Sequence, residues 1–286
     1  MDFAAAKEAV GARVSVCLPA WNEAATIGPI VEAVFASGVA DEVLVVDDGS
    51  TDETAAVARA AGARVVGEAE ILPGAGPGTG KGNVLWKSLY ECTGDVICWL
   101  DADLRNFQPA YVGRLVAPLL HDPDIVFVKA YSERAFEDSP SGGGRVTELV
   151  ARPLLSLLFP KLADIVQPLA GEYAGRRAAF ETLPFVEGWG VEFGMLVDIV
   201  ERFGRDAVAQ VDLGVREHRN RPIEELAPQA MAIIATALRR AGVMQLEGPF
   251  LELLRYAPDG SLDTTAVEVR ERPPINSLPE YRARFS

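Results

Sequence analysis

Asp101 and Asp103 stand one residue apart, directly after the apolar run Val96-Ile97-Cys98-Trp99-Leu100. Two carboxylates that close repel each other, and a bound divalent cation is the usual relief. A run of five apolar residues rich in β-formers suits a strand buried on both faces, as in a parallel sheet. In open α/β sheets, ligands bind beyond the carboxyl ends of the strands. The stretch therefore points to a metal site at a strand end, gripping a charged ligand.

Other segments carry groups that suit the same chemistry. In Pro73-Gly74-Ala75-Gly76-Pro77-Gly78-Thr79-Gly80-Lys81-Gly82 a glycine-rich loop delivers Lys81 to the start of a helical pattern, a favourable place for an anion. The same composition also suits a surface loop with a solvated lysine. Gly142-Gly143-Gly144-Arg145-Val146-Thr147 opens another helix, where backbone N–H groups and a fixed cation would hold a phosphate or carboxylate. A plain hinge before an ordinary helix fits those residues as well. Glu192 falls in the first turn of a helical stretch, where it could serve a site or simply complement the helix dipole. His218 lies just past a strand pattern, among Arg216, Arg219 and Arg221. Histidine there is either structural or a metal ligand.

The elements that must position these groups follow a strand-loop-helix rhythm. Residues 13–18 read as a first strand, followed by Pro19-Ala20-Trp21-Asn22-Glu23 and a helix capped by Thr26. Residues 41–46 make a second strand ending in Asp47-Asp48, with Ser50, Thr51 and Asp52 as cap residues for a helix over 53–61. Short strands are expected at 64–66, 125–130 and 208–215, and helices at 109–119, 145–158, 191–203 and 222–242. Such βαβ repeats build a mainly parallel α/β sheet flanked by helices. We expect a short amino-terminal tail over 1–12, a catalytic domain over 13–242 with halves meeting near 130, and an extension over 243–286 that forms a tail or a dimer arm.

Composition narrows the class. The chain has 286 residues with a net charge of -14, which argues against a nucleic-acid partner. No apolar run approaches the ~20 residues of a membrane span, and no signal-peptide core is present at the amino terminus, so a cytoplasmic location is expected. Cys17, Cys92 and Cys98 lack metal-site spacing and read as buried thiols. A phosphate-loop NTPase is disfavoured by Ala75 and Gly82, which break that motif. A nucleotidyltransferase would need glycines after the first strand, and Pro19 to Glu23 has none.

Four strand ends with polar residues can converge on one cleft. An Mg²⁺ or Mn²⁺ held by Asp103 and His218 would neutralise a diphosphate with help from Lys81, while Asp48 and Glu23 would accept hydrogen bonds from a base or ribose. That suits loss of a nucleoside diphosphate from a nucleotide sugar.

Pro19-Ala20-Trp21-Asn22-Glu23, Val46-Asp47-Asp48-Gly49-Ser50-Thr51-Asp52 and Asp101-Ala102-Asp103 resemble the GT-A type nucleotide-diphospho-sugar transferases, with a Rossmann-like sheet. Gly142 to Leu155, Gln167 to Ala174 and Val215 to Pro222 resemble the glucosyl- and mannosyl-3-phosphoglycerate synthases. The resemblance spans roughly residues 13–242. It implies a retaining transfer from UDP-glucose, or from GDP-mannose, to 3-phosphoglycerate. It further implies that Pro19, Ala20, Glu23, Asp48, Lys81, Asp101, Ala102, Asp103 and Gly171 line the donor, and that Gly144, Arg145, Thr147 and Asn220 hold the acceptor. Glu192 and Leu169 would lie near the reacting carbon beside Asp101 and Asp103, with Asp103 and His218 as metal ligands in a homodimeric enzyme. Gly188-Trp189-Gly190 departs from the family's Gly-Tyr-Gly, and Trp21 and Asp47-Asp48 also differ from the glucosyl forms.

Overall fold

The computed structural model describes residues 3–134, 144–216, 223–257 and 259–285. In chain order the elements are α1 (Phe3–Val10), β1 (Val14–Ala20), α2 (Ile27–Ala36), β2 (Glu42–Asp47), α3 (Thr54–Ala60), β3 (Arg64–Gly67), α4 (Gly80–Glu91), β4 (Val96–Trp99), α5 (Ala110–His121) and β5 (Phe127–Arg134). They continue with α6 (Arg152–Leu158), β6 (Tyr173–Arg176), α7 (Arg177–Phe180), β7 (Phe185–Val186), α8 (Val191–Phe203), β8 (Val208–Arg216), α9 (Ile223–Arg240), β9 (Phe250–Tyr256), β10 (Leu262–Glu268), β11 (Glu271–Arg272) and α10 (Pro279–Phe285).

Seven strands form one sheet in the order β3-β2-β1-β4-β6-β5-β8. β1 pairs in parallel with β2 and β4, β2 with β3, and β5 with β8. Only β6 in this sheet runs the other way, between β4 and β5. The mainly parallel α/β sheet expected from the sequence is thus observed. Because β6 is reversed, the segment leading into Tyr173 starts from the edge where β1, β2 and β4 end. Leu169 and Gly171 are carried to that edge by this reversal.

The apolar strands divide their side chains between two layers, as period-two alternation demands. Cys17, Leu44, Val46, Ile97 and Trp99 join Leu85, Leu155 and Leu196 of α4, α6 and α8 on one face. Val16, Leu18, Val43, Val45 and Cys98 join Ile30 and Leu115 of α2 and α5 on the other. Trp99 centres an aromatic cluster, with its ring 4.6 Å from Phe180 and 5.6 Å from Tyr173, and its indole donates to Ser88 Oγ at 2.9 Å. Each such fully buried side chain contributes about 1.5–3 kcal/mol from burial alone. The base of strand β4 is therefore held rigidly beneath the two aspartates.

Thr26 differs from expectation. It precedes α2 but makes no capping hydrogen bond. Its hydroxyl instead donates to the carbonyl of Ala102 at 2.6 Å, tying the loop after β1 to the acidic loop after β4. The helix after Gly144 begins as a π turn, Thr147–Ala151, before α6.

The segment 243–286 holds a β9–β10 hairpin, the short strand β11 paired with β7, and α10. Its later part is anchored to the body. Ile275 and Tyr281 are buried in the core, the Trp86 indole donates to the Pro273 carbonyl at 2.7 Å, and Arg177 donates to the Tyr281 hydroxyl at 3.1 Å. Single residues rather than runs do this anchoring, so hydrophobic patterning misses it.

Candidate active site

A cleft of about 430 Å³ opens at the carboxyl edge of the sheet. Its walls include Pro19 and Ala20 at the end of β1, Glu23 from the loop after it, Asp48 after β2, Lys81 on α4, and Asp101, Ala102 and Asp103 after β4. Leu169 and Gly171 before β6, Glu192 of α8, and Gly144, Arg145 and Thr147 line it as well. His218 and Asn220 lie outside the described residues. The other residues assigned from the sequence to the donor, the acceptor, the metal or the reacting carbon all border this cleft.

Lys81 is the hub. Its Nζ stands 2.6 Å from Asp101 Oδ1 and 2.8 Å from Glu192 Oε1. Burial alone would lower the ammonium, but Asp101 and Glu192 outweigh it and hold the group well above the usual lysine value. The glycine-rich loop thus presents a fixed cation rather than a solvated one. Gly171 lies against Asp101 so closely that a Cβ there would overlap the carboxylate. Beneath this cluster Lys129 is buried; its Nζ donates to the Ala170 carbonyl at 2.5 Å and sits 4.5 Å from the Tyr173 ring centroid. Burial, against the pull of Glu192, pushes Lys129 down to about 7.

On the nucleotide side, several polar residues lace loops together. Asn22, at a φ of 56°, accepts from the Thr51 amide at 2.8 Å, and its own amide donates to Ser50 Oγ at 2.9 Å. The Glu23 amide donates to Thr54 Oγ1 at 2.8 Å. These bonds hold the backbone at Glu23, and the Asp48 amide donates to the Ala20 carbonyl at 2.9 Å. Burial, helped by the neighbouring Glu68 and Asp47 carboxylates, raises Asp48 to about 6.

The donor set suits a hard divalent ion. Among the described residues no cluster of three or more potential ligands forms. Mg²⁺ is commonly held by one or two carboxylates plus substrate phosphates rather than by an all-protein cage. Asp103 on the cleft wall, next to an Asp101 already paired with Lys81, fits that pattern.

Sequence reasoning missed the contribution of α9. Leu226, Gln229 and Ile233 line the cleft from one helical face, at spacings of three and four. That face looks like any amphipathic helix in sequence, so no signal marks it. Trp21 and Trp189 also border the cleft and are exposed to 62% and 42%.

A mainly parallel sheet with carboxylates at its strand ends, and a cleft there lined also by an ion-paired lysine and an arginine, defines a sugar-nucleotide transferase cleft of the GT-A kind. Residues 15–183 match the glycosyl transferase family 2, and the chain belongs to that family. It is similar to the glucosyl-3-phosphoglycerate synthase of Mycolicibacterium smegmatis, 45% identical over 97% of this chain and 93% of that one. The same-named protein of Petrotoga mobilis is 42% identical over 98% and 91% of the two chains. A crystal structure of glucosyl-3-phosphoglycerate synthase from Mycobacterium tuberculosis with Mn²⁺, UDP-glucose and phosphoglyceric acid superposes with a TM-score of 0.87. Identity there is 43%, over 96% of this chain and 93% of that one. A second structure of that enzyme, with Mg²⁺ and UDP, gives a TM-score of 0.88 at 44% identity over 96% and 94% of the chains.

Proposed function

We propose that this chain moves glucose from UDP-glucose to the 2-hydroxyl of 3-phosphoglycerate, with retention at the anomeric carbon, giving glucosyl-3-phosphoglycerate. The observation that carries the reading is that one cleft is lined by two different sets of polar groups. Lys81, Asp101 and Asp103 form one, and Arg145 with Thr147 forms the other. The first suits a metal-bound diphosphate and the second a phosphorylated acid. Relatives of the same name over nearly the whole chain support it.

In this reading Pro19, Ala20, Glu23, Asp48 and Ala102 line the nucleotide. Lys81, Asp101, Asp103 and Gly171 face the diphosphate and sugar. Gly144, Arg145, Thr147 and Asn220 hold the phosphoglycerate, and Leu169 and Glu192 border the reacting carbon. The bond from the anomeric carbon to the diphosphate breaks as the acceptor oxygen bonds to the same face. The acceptor's proton passes to an oxygen of the leaving diphosphate. Arg145 and Thr147 aim the acceptor hydroxyl by fixing its charged end. Asp103 and His218 would hold Mg²⁺ or Mn²⁺, whose charge stabilises the departing diphosphate.

The free, buried thiols of Cys17, Cys92 and Cys98 suit the reducing cytoplasm, where we place the enzyme. A homodimer is supported by the outer face of the β9–β10 hairpin, where Phe250, Leu254, Tyr256 and Leu262 are all about half exposed or more. We take 13–242 as the catalytic unit, preceded by a short tail over 1–12, and 243–286 as an extension that supports it.

The test offers UDP-glucose and GDP-mannose with 3-phosphoglycerate, with and without Mn²⁺. UDP release that requires both acceptor and metal, with glucosyl-3-phosphoglycerate identified by mass, is the expected result. Release without acceptor at the same rate, or turnover of GDP-mannose alone, would overturn it.

A further inference from the structure

The loop 73–80 that delivers Lys81 contains four glycines and two prolines, and it has almost no side chains with which to fix itself. Its anchors come from far along the chain. Arg272 Nη1 donates to the Ala75 carbonyl at 2.7 Å and Nη2 to the Gly76 carbonyl at 3.1 Å. Its Nε donates to Asn83 Oδ1 at 3.0 Å and stands 2.7 Å from Glu187 Oε1. Glu187 in turn accepts from the Thr79 amide at 3.1 Å. Two neighbours in the same segment reach the same loop. Arg270 donates to the Pro77 carbonyl at 3.1 Å, and Glu268 accepts from the Thr79 hydroxyl at 3.0 Å.

This clamp is buried and tightly built. Glu187 is fully buried and Arg272 nearly so, and the guanidinium stacks 5.2 Å from the Trp86 ring centroid. Pairing of β11 with β7 fixes the backbone on which Arg272 stands, directly opposite Phe185. A side chain at Gly78 would collide with Arg272, and one at Gly82 with the Val186 carbonyl. The planar fork of arginine spreads five donors over three nitrogens and reaches two carbonyls, an amide oxygen and a carboxylate at once, whereas a lysine offers three donors from a single atom.

We propose that Arg272, with Glu187, is a positioning residue for the transfer reaction, which holds the 75–79 backbone so that Lys81 meets Asp101 and Glu192 at the donor diphosphate. Residues 268–272 fall outside the stretch that matches the glycosyl transferase family, yet they complete the donor side of the site. The inference rests on the donor role given to Lys81 above. It assigns no role to Arg272 at the acceptor.

The test uses the full chain with Arg272→Lys, which keeps a cation beside Glu187 but loses the fork. A second variant, Glu187→Gln with Arg272→Met, removes the buried charges together and guards against simple misfolding. Backbone hydrogen exchange over 74–82 is expected to accelerate in both while the central strands stay protected. The KM for UDP-glucose is expected to rise about tenfold or more while that for 3-phosphoglycerate stays unchanged. Unaltered exchange in the loop, or equal movement of both KM values, would overturn the proposal. The exchange readout needs no substrate, so a protein that binds no UDP with Mn²⁺ would count against the functional reading while the clamp is still judged.

Discussion

Gly171 lies so close to Asp101 that its Cα leaves no space for a methyl group beside the carboxylate. The contact crosses from the segment before β6 to the loop after β4, and it sets where Asp101 meets Lys81. Gly171→Ala is therefore expected to push Asp101 aside without touching the core. Turnover should fall about a hundredfold, since displacements near 1 Å at a reacting centre carry that cost. Kinetics alongside a melting curve check it, and a variant with native turnover would contradict the arrangement.

Asp48 gives the pH dependence. Folded, it holds its proton up to about 6, whereas the carboxyl's ordinary value is 3.8. Between those values the folded chain binds the extra proton, so this group's contribution to stability declines as pH rises. Nucleotide binding moves the opposite way, because only the ionised carboxylate accepts hydrogen bonds without donating. The KM for UDP-glucose is expected to fall as pH climbs through 6 and to flatten above it. Asp48→Asn should remove that inflection, which a pH series on both proteins would measure.

Removal of divalent metal is expected to abolish turnover, and added Mn²⁺ to restore it. Asp103→Asn should raise the Mn²⁺ concentration needed for half-maximal rate by about tenfold or more. Metal titrations of the two proteins decide this. An unchanged requirement would take Asp103 out of the ligand set.

Arg145→Ala is expected to raise the KM for 3-phosphoglycerate about tenfold to a hundredfold, the range for a lost charge-assisted hydrogen bond. Donor affinity should stay near its original value. Initial-rate measurements with each substrate varied in turn separate the two. Equal losses would contradict the division of the cleft into two sets of polar groups.

The hairpin face offers a further check. Leu254→Asp combined with Tyr256→Asp is expected to convert a dimer to a monomer in sedimentation, because both side chains stand in water in the single chain. A wild-type monomer would remove the dimer from the reading.

The strands were legible because runs such as Val43 to Val46 and Val96 to Leu100 are buried on both faces, and continuous apolarity is what such burial demands. The acids at their ends stood out for the same reason. Thr26 could not be read correctly: a threonine before a helix is an ordinary cap, and its partner, the Ala102 carbonyl, lies 76 residues away. Ser50 read as a helix-cap residue, and the bonds from the Asn22 amide to Ser50 and from the Glu23 amide to Thr54 exist only because β1 and β2 end side by side. The reversal of β6 and the docking of Arg272 likewise depend on tertiary placement, which local pattern does not encode. Lys129 gave no signal either, because its partners, the Ala170 carbonyl and the Tyr173 ring, lie more than 40 residues away in sequence.

The reach of Arg272 and its neighbours to the donor loop has a consequence for how the protein is made. Residues 268–272 leave the ribosome some 190 positions after the loop they hold. At synthesis rates of about 5–20 residues per second, that is a wait of about 10–40 s. The last strand of the sheet, β8, is complete at residue 216, so the sheet can close while the lysine-bearing loop still lacks the residues that seat it. A growing chain of this design acquires its sheet before it acquires its grip on a nucleotide sugar.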